Sequence, residues 1–213
     1  DVLFVGTKRQ AQNILIDAAN EVEMPYVVFR WLGGMLTNFR TIRQSVKRMK
    51  ELEETLADEE PARLSYTKKA LSVFAKQKAR LERNLSGVSE MNRLPGAIFV
   101  IDPKTEHIAI TEARRCNIPV IAVTDTNCDP RGVALVIPGN DDAFKSIELL
   151  THAIAQAIVE GKNRREQKAR GEDKPAETKR QSGTKNTKLA TVSSGGNDEY
   201  AELSKDRETE TAN

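Results

Sequence analysis

The amino-acid sequence predicts an α/β protein: a five-stranded parallel sheet, interrupted by an inserted antiparallel helical hairpin and followed by a disordered tail. Three observations support this prediction. Short, continuously apolar segments alternate with amphipathic helical segments, which is typical of a parallel sheet covered on both faces. Two longer and strongly basic helical segments follow one another between the second and third apolar segments. Apolar periodicity then ends after Lys162.

The first part of the sheet is predicted within residues 1–29. The chain begins with Asp1 inside an apolar segment and has no initiator Met there, so we expect that its natural N-terminal part is missing. A first strand is predicted at 2–5 and a second at 26–29. The segment between them, 7–22, is predicted to be a helix because its apolar residues recur on one face.

The next stretch, RWLGGMLTNFRTIRQSVKRMKEL at 30–52, combines a glycine pair with a basic amphipathic helix that Thr37 or Asn38 can cap. An apolar stripe recurs along this helix at alternating steps of four and three residues: Ile42, Val46, Met49, Leu52 and Leu56. A second basic helix is predicted at 65–85, after a proline-containing turn at 58–61. Two such helices joined by a short turn predict an antiparallel coiled-coil hairpin.

Three more strands and two helices complete the predicted sheet. The strands are expected at 97–101, 119–123 and 134–137, and the helices at 107–117 and 141–160.

These elements define the predicted domains. Residues 1–36 and 93–162 form the parallel-sheet domain, and residues 37–92 form the inserted hairpin. Residues 163–213 are predicted to be a disordered tail, because no segment there could bury enough apolar area to offset its ordering entropy.

Composition excludes several classes of protein. The two cysteines are too few for a disulfide framework and show no zinc-ligand spacing, so a reduced cytosolic setting without a metal site is expected. No apolar segment approaches the length of a membrane span.

The net charge of +2 conceals a strong segregation: residues 63–83 contain seven Lys and Arg against one Glu. Local charge decides attraction to phosphate, so the hairpin predicts a nucleic-acid surface.

The strand ends suggest a different kind of function. Gly6 precedes Thr7, Lys8 and Arg9 at a strand-to-helix turn, where a phosphate could bind. A single glycine matches neither the dinucleotide fingerprint nor the nucleotide P-loop, and a tight turn with exposed cations explains the segment equally. Asp102 and Asp125 also follow strands, where they could form a carboxylate pair or simply make turns and helix caps.

Two alternatives to RNA binding therefore stay open: a nucleotide-binding α/β enzyme that uses Gly6, Asp102 and Asp125, and an adaptor whose hairpin docks a partner protein. Neither His107 nor His152 accompanies a recognisable nucleophile, so no catalytic residue is predicted. Trp31 is expected either in the core or, beside Arg30, in contact with a nucleobase.

Four segments resemble the small-subunit ribosomal protein two family of the bacterial or organellar type. They are FVGTK at 4–8, RWLGGMLTNFRTIRQSVKRMKELE at 30–53, PGAIFVIDPKTEHIAITEA at 95–113 and IPVIAVTDTNCDPRGVALVIPGNDDA at 118–143. The resemblance implies a flavodoxin-like sheet with an inserted coiled-coil hairpin. It also implies binding to ribosomal RNA on the small subunit without catalysis.

The predicted function is thus a structural component of the small ribosomal subunit. The expected partners are small-subunit ribosomal RNA and neighbouring small-subunit ribosomal proteins, with no membrane, small-molecule substrate or cofactor. The expected location is the ribosome in the cytoplasm, or in an organelle matrix if the protein is organellar. The side chains predicted to bind RNA are Lys8, Arg9, Arg30, Trp31, Arg40, Arg43, Lys47, Arg48, Lys68, Lys69, Lys76 and Arg80.

Overall fold

The computed structural model describes residues 1–57 and 66–169. The strands, in chain order, are β1 (Val2–Val5), β2 (Tyr26–Val27), β3 (Ala97–Ile101), β4 (Val120–Thr124) and β5 (Leu135–Pro138). The helices are α1 (Arg9–Glu21), α2 (Phe39–Ala57), α3 (Lys68–Leu85), α4 (His107–Arg115) and α5 (Phe144–Ala169), and a short 3₁₀ turn, Ser86–Val88, follows α3.

All of these strands are parallel and form one five-stranded sheet in the order β2-β1-β3-β4-β5. The predicted α/β fold and parallel sheet are therefore confirmed, and this strand order is the flavodoxin-like one. In such a sheet the strand order reverses at β1 and β3: β2 is added on one side of β1, and the later strands are added on the other. The crevice at the carboxyl ends of β1 and β3 is the usual place for a ligand.

Alternate residues of the strands point to two buried clusters, one on each face of the sheet. On one face, Phe4 and Phe99 pack edge-to-face, with ring centroids 5.6 Å apart, among residues of α1 and α5. On the other face, Leu3, Val5 and Val100 pack against α4 and the base of the hairpin.

The hairpin shares its base with this second cluster. Residues from the first turns of α2 and the last turn of α3 are buried there: Ile42, Val46, Met49 and Leu85. The two helices pack against each other and run in opposite directions. Arg43 near the start of α2 bonds to residues just after α3, whereas Glu53 near the end of α2 pairs with Lys78 at 3.1 Å. The coiled-coil geometry of the hairpin stays a prediction.

Several element boundaries differ from the prediction. Helix α3 begins at Lys68, because the Thr67 hydroxyl caps it by accepting a hydrogen bond from the Ala70 N–H at 3.3 Å. Helix α5 continues to Ala169 although apolar periodicity ends earlier, so the tail predicted to start at 163 is helical over its first residues. The predicted turn at 58–61 and the rest of the predicted tail, 170–213, lie outside the described residues.

No helix among the described residues is both long and apolar enough to cross a lipid bilayer.

Candidate functional site

The loops after β1, β3 and β5 bring one lysine and three carboxylates together at the carboxyl-terminal edge of the sheet. The Lys8 Nζ lies 3.0 Å from Asp102 Oδ2, 2.9 Å from Asp141 Oδ1 and 2.8 Å from Asp142 Oδ1. Asp141 and Asp102 are buried, whereas Asp142 is exposed. The ammonium therefore neutralises two carboxylates that would be costly to bury without a partner.

The same geometry explains the acid–base properties of the cluster. Burial alone would lower the pKa of Lys8, but its bonds to Asp142, Asp141 and Asp102 outweigh burial and raise that pKa above its ordinary value. Burial also opposes ionisation of Asp102, yet the Thr105 hydroxyl and the Lys8 ammonium hold the pKa of that carboxyl below its ordinary value. Lys8 is therefore charged but engaged within the protein. Contact between Lys8 and RNA phosphate stays a prediction, and these ion pairs disfavour it.

A carboxylate of the protein itself occupies the turn between β1 and α1. Glu106 Oε1 accepts hydrogen bonds from the Thr7 backbone N–H at 2.8 Å and from Thr7 Oγ1 at 2.5 Å. Glu106 is buried, and burial is the main cause of its raised pKa. Because the N-terminus of a helix is where a phosphate group would bind, Glu106 takes the position that a nucleotide would need.

Asp102 and Asp125 make local hydrogen bonds of the kind that turns require. Asp102 has a φ of 62° and accepts hydrogen bonds from the backbone N–H groups of Lys104 at 3.0 Å and Thr105 at 3.3 Å. Asp125 Oδ1 accepts from the Thr126 N–H at 2.6 Å. Short polar side chains tolerate such backbone conformations and satisfy nearby N–H groups. These bonds favour the turn interpretation over a catalytic carboxylate pair.

Asp102, Cys128 and Asp141 are the described residues that could hold a metal ion, since their ligand atoms lie within 4.8 Å of one another. The Lys8 ammonium already sits against both carboxylates, so a divalent cation would have to displace it. Burial also raises the pKa of the Cys128 thiol, which disfavours the thiolate that a metal or a nucleophilic role requires.

Gly6 is explained by packing, and this leads to a first prediction. A Cβ atom at Gly6 would lie 2.6 Å from Leu15 Cδ1 and 3.3 Å from Ile101 Cβ, in the buried cluster under α1. We therefore expect Gly6→Ala to lower the free energy of unfolding by about 1–3 kcal/mol through overpacking. Urea unfolding would measure this.

The matched control is Gly161→Ala. A Cβ at Gly161 meets no atom within 4 Å, and the residue lies in α5, so alanine there should stabilise the helix by about 0.5–1 kcal/mol. Equal stability of Gly6→Ala and the unchanged protein would contradict the packing explanation.

A second site is the turn at 30–37, which wraps around the carboxylate of Glu112 from α4. Glu112 Oε1 accepts hydrogen bonds from Trp31 Nε1 at 3.1 Å and from the Gly34 N–H at 2.7 Å. Its Oε2 accepts from the Leu36 N–H at 3.0 Å and from both the N–H and the hydroxyl of Thr37 at 3.1 Å. Gly34 has a φ of 90°, which a residue with a side chain rarely adopts.

This arrangement determines the role of Trp31. Its side chain is buried in the cluster between the sheet and the hairpin, and its N–H points to Glu112. The indole therefore offers no free face to a nucleobase. The structure places Trp31 in the core, and its contact with a nucleobase stays a prediction that this packing disfavours.

The cations of α2 mostly have acidic partners. Lys47 and Arg48 both approach Glu51, at 4.0 and 3.3 Å, and Lys50 pairs with Glu90 at 3.0 Å. These pairs are exposed and therefore weak. Arg40, Lys47 and Lys50 line a groove of about 590 Å³ between α2 and residues 89–92.

Arg43 has a structural role instead. Its Nη1 donates to the Met91 carbonyl at 2.9 Å and to Asn92 Oδ1 at 2.7 Å, which ties α2 to the segment after α3. Arg43 is half-buried and its guanidinium makes these two bonds, so its contact with RNA stays a prediction that the structure disfavours.

Apart from Lys78, which pairs with Glu53, the cations of α3 have no acidic partner among the described residues. Lys69, Lys76, Arg80 and Arg83 are all exposed, and they are separated by seven, four and three residues. These separations place them on one side of a helix over about 21 Å. Within the described part of the chain, none of the four forms an ion pair with an acidic side chain. We call this set the α3 stripe.

The predicted RNA-binding residues thus fall into three groups. Lys8, Trp31 and Arg43 are engaged inside the protein, as described above. Lys47 and Arg48 are exposed but have acidic neighbours. The others are exposed, and no described acid pairs with them: Arg9, Arg30, Arg40, Lys68, Lys69, Lys76 and Arg80.

Three buried acids that organise these sites, Glu106, Glu112 and Asp141, were not identified from the sequence. A signal for Glu112 was present, since it falls on the same side of its helix as Ala109 and Ala113, which are buried. No local pattern distinguishes Asp141 from its exposed neighbour Asp142.

The chain is similar in sequence to known proteins over most of its length. A family model described as ribosomal protein S2 matches residues 1–161. The small ribosomal subunit protein uS2 of Thermobifida fusca is 52% identical over 175 residues, which cover 82% of this chain and 60% of that protein. The proteins of the same name from Streptomyces griseus and Streptomyces coelicolor are 51% and 53% identical over 177 and 160 residues, covering 83% and 75% of this chain. The matched part of the chain spans 57% and 51% of those two relatives.

Proposed function

The chain belongs to the ribosomal protein S2 family, and from this premise we propose that it is a structural component of the small ribosomal subunit that binds ribosomal RNA. It would hold folded RNA by neutralising phosphates and would catalyse no reaction. The chain spans 60% or less of the length of the three relatives compared above, and its role in the ribosome is therefore a proposal.

The α3 stripe is the observation that carries this proposal. Exposed cations on solvated helices are normally balanced by acids one turn away, as on α2. Helix α3 has no acidic residue in its first turn, where Lys68 and Lys69 oppose the helix dipole. An RNA backbone beside α3 would relieve this unfavourable charge and release condensed counterions.

The proposed RNA surface extends from this stripe to the other exposed cations. Arg9, Arg30, Arg40, Lys47, Arg48 and Lys68 belong to it together with Lys69, Lys76 and Arg80. We propose that the inserted hairpin, 37–92, and the sheet domain, 1–36 and 93–162, both contribute to this surface. Neighbouring ribosomal proteins and a location in the ribosome, cytoplasmic or organellar, are part of the same proposal.

The enzyme alternative has less support. Its three candidate residues have structural explanations: Gly6 is required by packing, and Asp102 and Asp125 satisfy turn N–H groups. The crevice between β1 and β3 is filled by the Lys8 ion pairs and by the Glu106–Thr7 hydrogen bonds.

A binding experiment separates the two functions and gives a second prediction. We expect the chain to bind small-subunit ribosomal RNA transcribed from Streptomyces coelicolor with a dissociation constant below about 1 μM, weakening steeply with salt. Calorimetry with ATP, GTP and NAD should show no site tighter than about 1 mM. A micromolar nucleotide site that Asp125→Ala abolishes, with no RNA binding, would favour the enzyme.

A further inference from the structure

The base of the hairpin presents a stacked pair of side chains that RNA binding by charge alone does not require. The guanidinium carbon of Arg83, in the last turn of α3, lies 5.0 Å from the centroid of the Phe29 ring. Phe29 remains 39% exposed, and Arg83 is exposed as well. A planar guanidinium that rests on an aromatic face is held by cation–π attraction and stacking.

Packing of the chain around β2 holds this pair in place. The 3₁₀ turn after α3 lies against β2 so closely that a Cβ atom at Gly87 would clash with the Tyr26 carbonyl. This contact brings the last turn of α3 close to the segment after β2, where Arg83 lies over Phe29. The stack therefore belongs to the rigid base of the hairpin and needs little reordering when a ligand binds.

The surroundings of the stack favour an anionic ligand that also has a flat ring. Within the described residues, no carboxylate pairs with Arg83 or Arg30, and both are exposed. The exposed guanidinium of Arg83 can stack on a base, and Arg30, which follows Phe29 in the chain and is also exposed, can contact a phosphate. Arg83 also ends the α3 stripe, so the stack continues the proposed RNA surface.

We propose that the Phe29–Arg83 stack, with Arg30, binds a single unpaired nucleotide of the ribosomal RNA, taking its base on the guanidinium and its phosphate on Arg30. The nucleotide is unpaired because a base inside an RNA duplex is covered on both faces by its neighbours, whereas bases in loops and bulges can stack on protein side chains. This inference rests on the proposed RNA-binding function and names the kind of RNA element that this part of the surface recognises.

The test uses Arg83→Lys, which keeps the positive charge but removes the planar group. Titration with the same Streptomyces coelicolor small-subunit RNA should show affinity about tenfold weaker, because one stacked base is lost. The slope of log affinity against log salt should stay unchanged, because the number of neutralised phosphates stays the same. Arg115→Lys is the matched control: Arg115 is also exposed at the end of a helix, α4, and its variant should bind like the unchanged protein.

Two further measurements keep the result interpretable. Phe29→Ala should weaken binding as Arg83→Lys does, and Phe29→Trp should retain it, because tryptophan supports a guanidinium at least as well. Ultraviolet crosslinking should join the peptide containing Arg83, whose guanidinium carries the base, to a nucleotide that chemical probing shows to be unpaired.

The possible outcomes are distinct. If the unchanged protein binds the RNA but Arg83→Lys binds equally well, the stacking site is wrong and the proposed function stands. Crosslinks only to paired nucleotides, or to a neighbouring protein in assembled subunits, also overturn it. If the unchanged protein does not bind ribosomal RNA at all, the proposed function itself fails, and this inference fails with it.

Discussion

Replacing Glu112 with alanine is expected to lower the free energy of unfolding by about 3–5 kcal/mol, a large share of the 5–15 kcal/mol that stabilises a typical domain. The substitution leaves the indole N–H of Trp31 and the N–H groups of Gly34, Leu36 and Thr37 without their acceptor. Trp31 and Leu36 are buried, so water reaches these donors poorly. Thermal and urea unfolding would measure the loss.

Two companion variants sharpen this test. Glu112→Gln should also destabilise the protein, because the amide NH₂ group would face N–H donors where an oxygen accepts now. Glu54→Ala removes an exposed glutamate from α2 and should change stability by no more than about 0.5 kcal/mol. Hydrogen exchange at the amides of Gly34, Leu36 and Thr37 should accelerate in Glu112→Ala. Unchanged unfolding and exchange would show that this carboxylate does not hold the turn.

The carboxylate of Glu112 also makes the free energy of unfolding depend on pH. Burial alone would raise the pKa of Glu112, but the hydrogen bonds from Gly34, Leu36, Thr37 and Trp31 outweigh it and hold the pKa below the ordinary value. A lowered pKa in the folded state stabilises the protein above the ordinary value of 4.5, and this contribution is lost as pH falls through the lowered pKa. Unfolding of Glu112→Gln should therefore vary less with pH below about 4.5 than unfolding of the unchanged protein.

Reversing three charges of the α3 stripe is expected to produce the largest loss of RNA affinity. In the triple variant that combines Lys69→Glu, Lys76→Glu and Arg80→Glu, affinity for small-subunit ribosomal RNA should fall by at least about a hundredfold at moderate salt. The slope of log affinity against log salt should become shallower by about three, one for each phosphate that the variant no longer neutralises. Circular dichroism should show a folded hairpin, because these side chains are exposed.

The matched control reverses the same number of charges on the other helix of the hairpin. This control is the triple variant that combines Lys47→Glu, Arg48→Glu and Lys50→Glu. It changes the net charge by the same amount but removes cations that already have acidic neighbours. Its affinity should fall much less than that of the α3 variant. Equal losses would mean that RNA binding follows the total charge and not the α3 face. Full binding by both variants would favour the alternative in which the hairpin docks a protein.

The sequence alone determined the fold class and, to within two residues, the place of each strand in the described part of the chain. Apolar runs such as AIFVI at 97–101 are continuous because both faces of a parallel strand are buried, and that composition is visible without the structure. The apolar stripe of α2 was also visible in the sequence, because Ile42, Val46 and Met49 repeat with the helical period. Excess positive charge on α3 is likewise a property of local sequence. From it the RNA-binding hypothesis followed directly.

Tertiary structure decided which charged side chains are available to a partner. Lys8 and Arg9 are neighbours of the same charge, yet Lys8 meets carboxylates from residues 102, 141 and 142, while Arg9 is exposed. Arg43 likewise binds residues 91–92, and the indole of Trp31 binds Glu112; both partners are far away in the chain. The physical reason is that ion pairs and hydrogen bonds depend on atoms within a few ångströms in space. Periodicity and composition report only on neighbours along the chain and on the average burial of a helix or strand face.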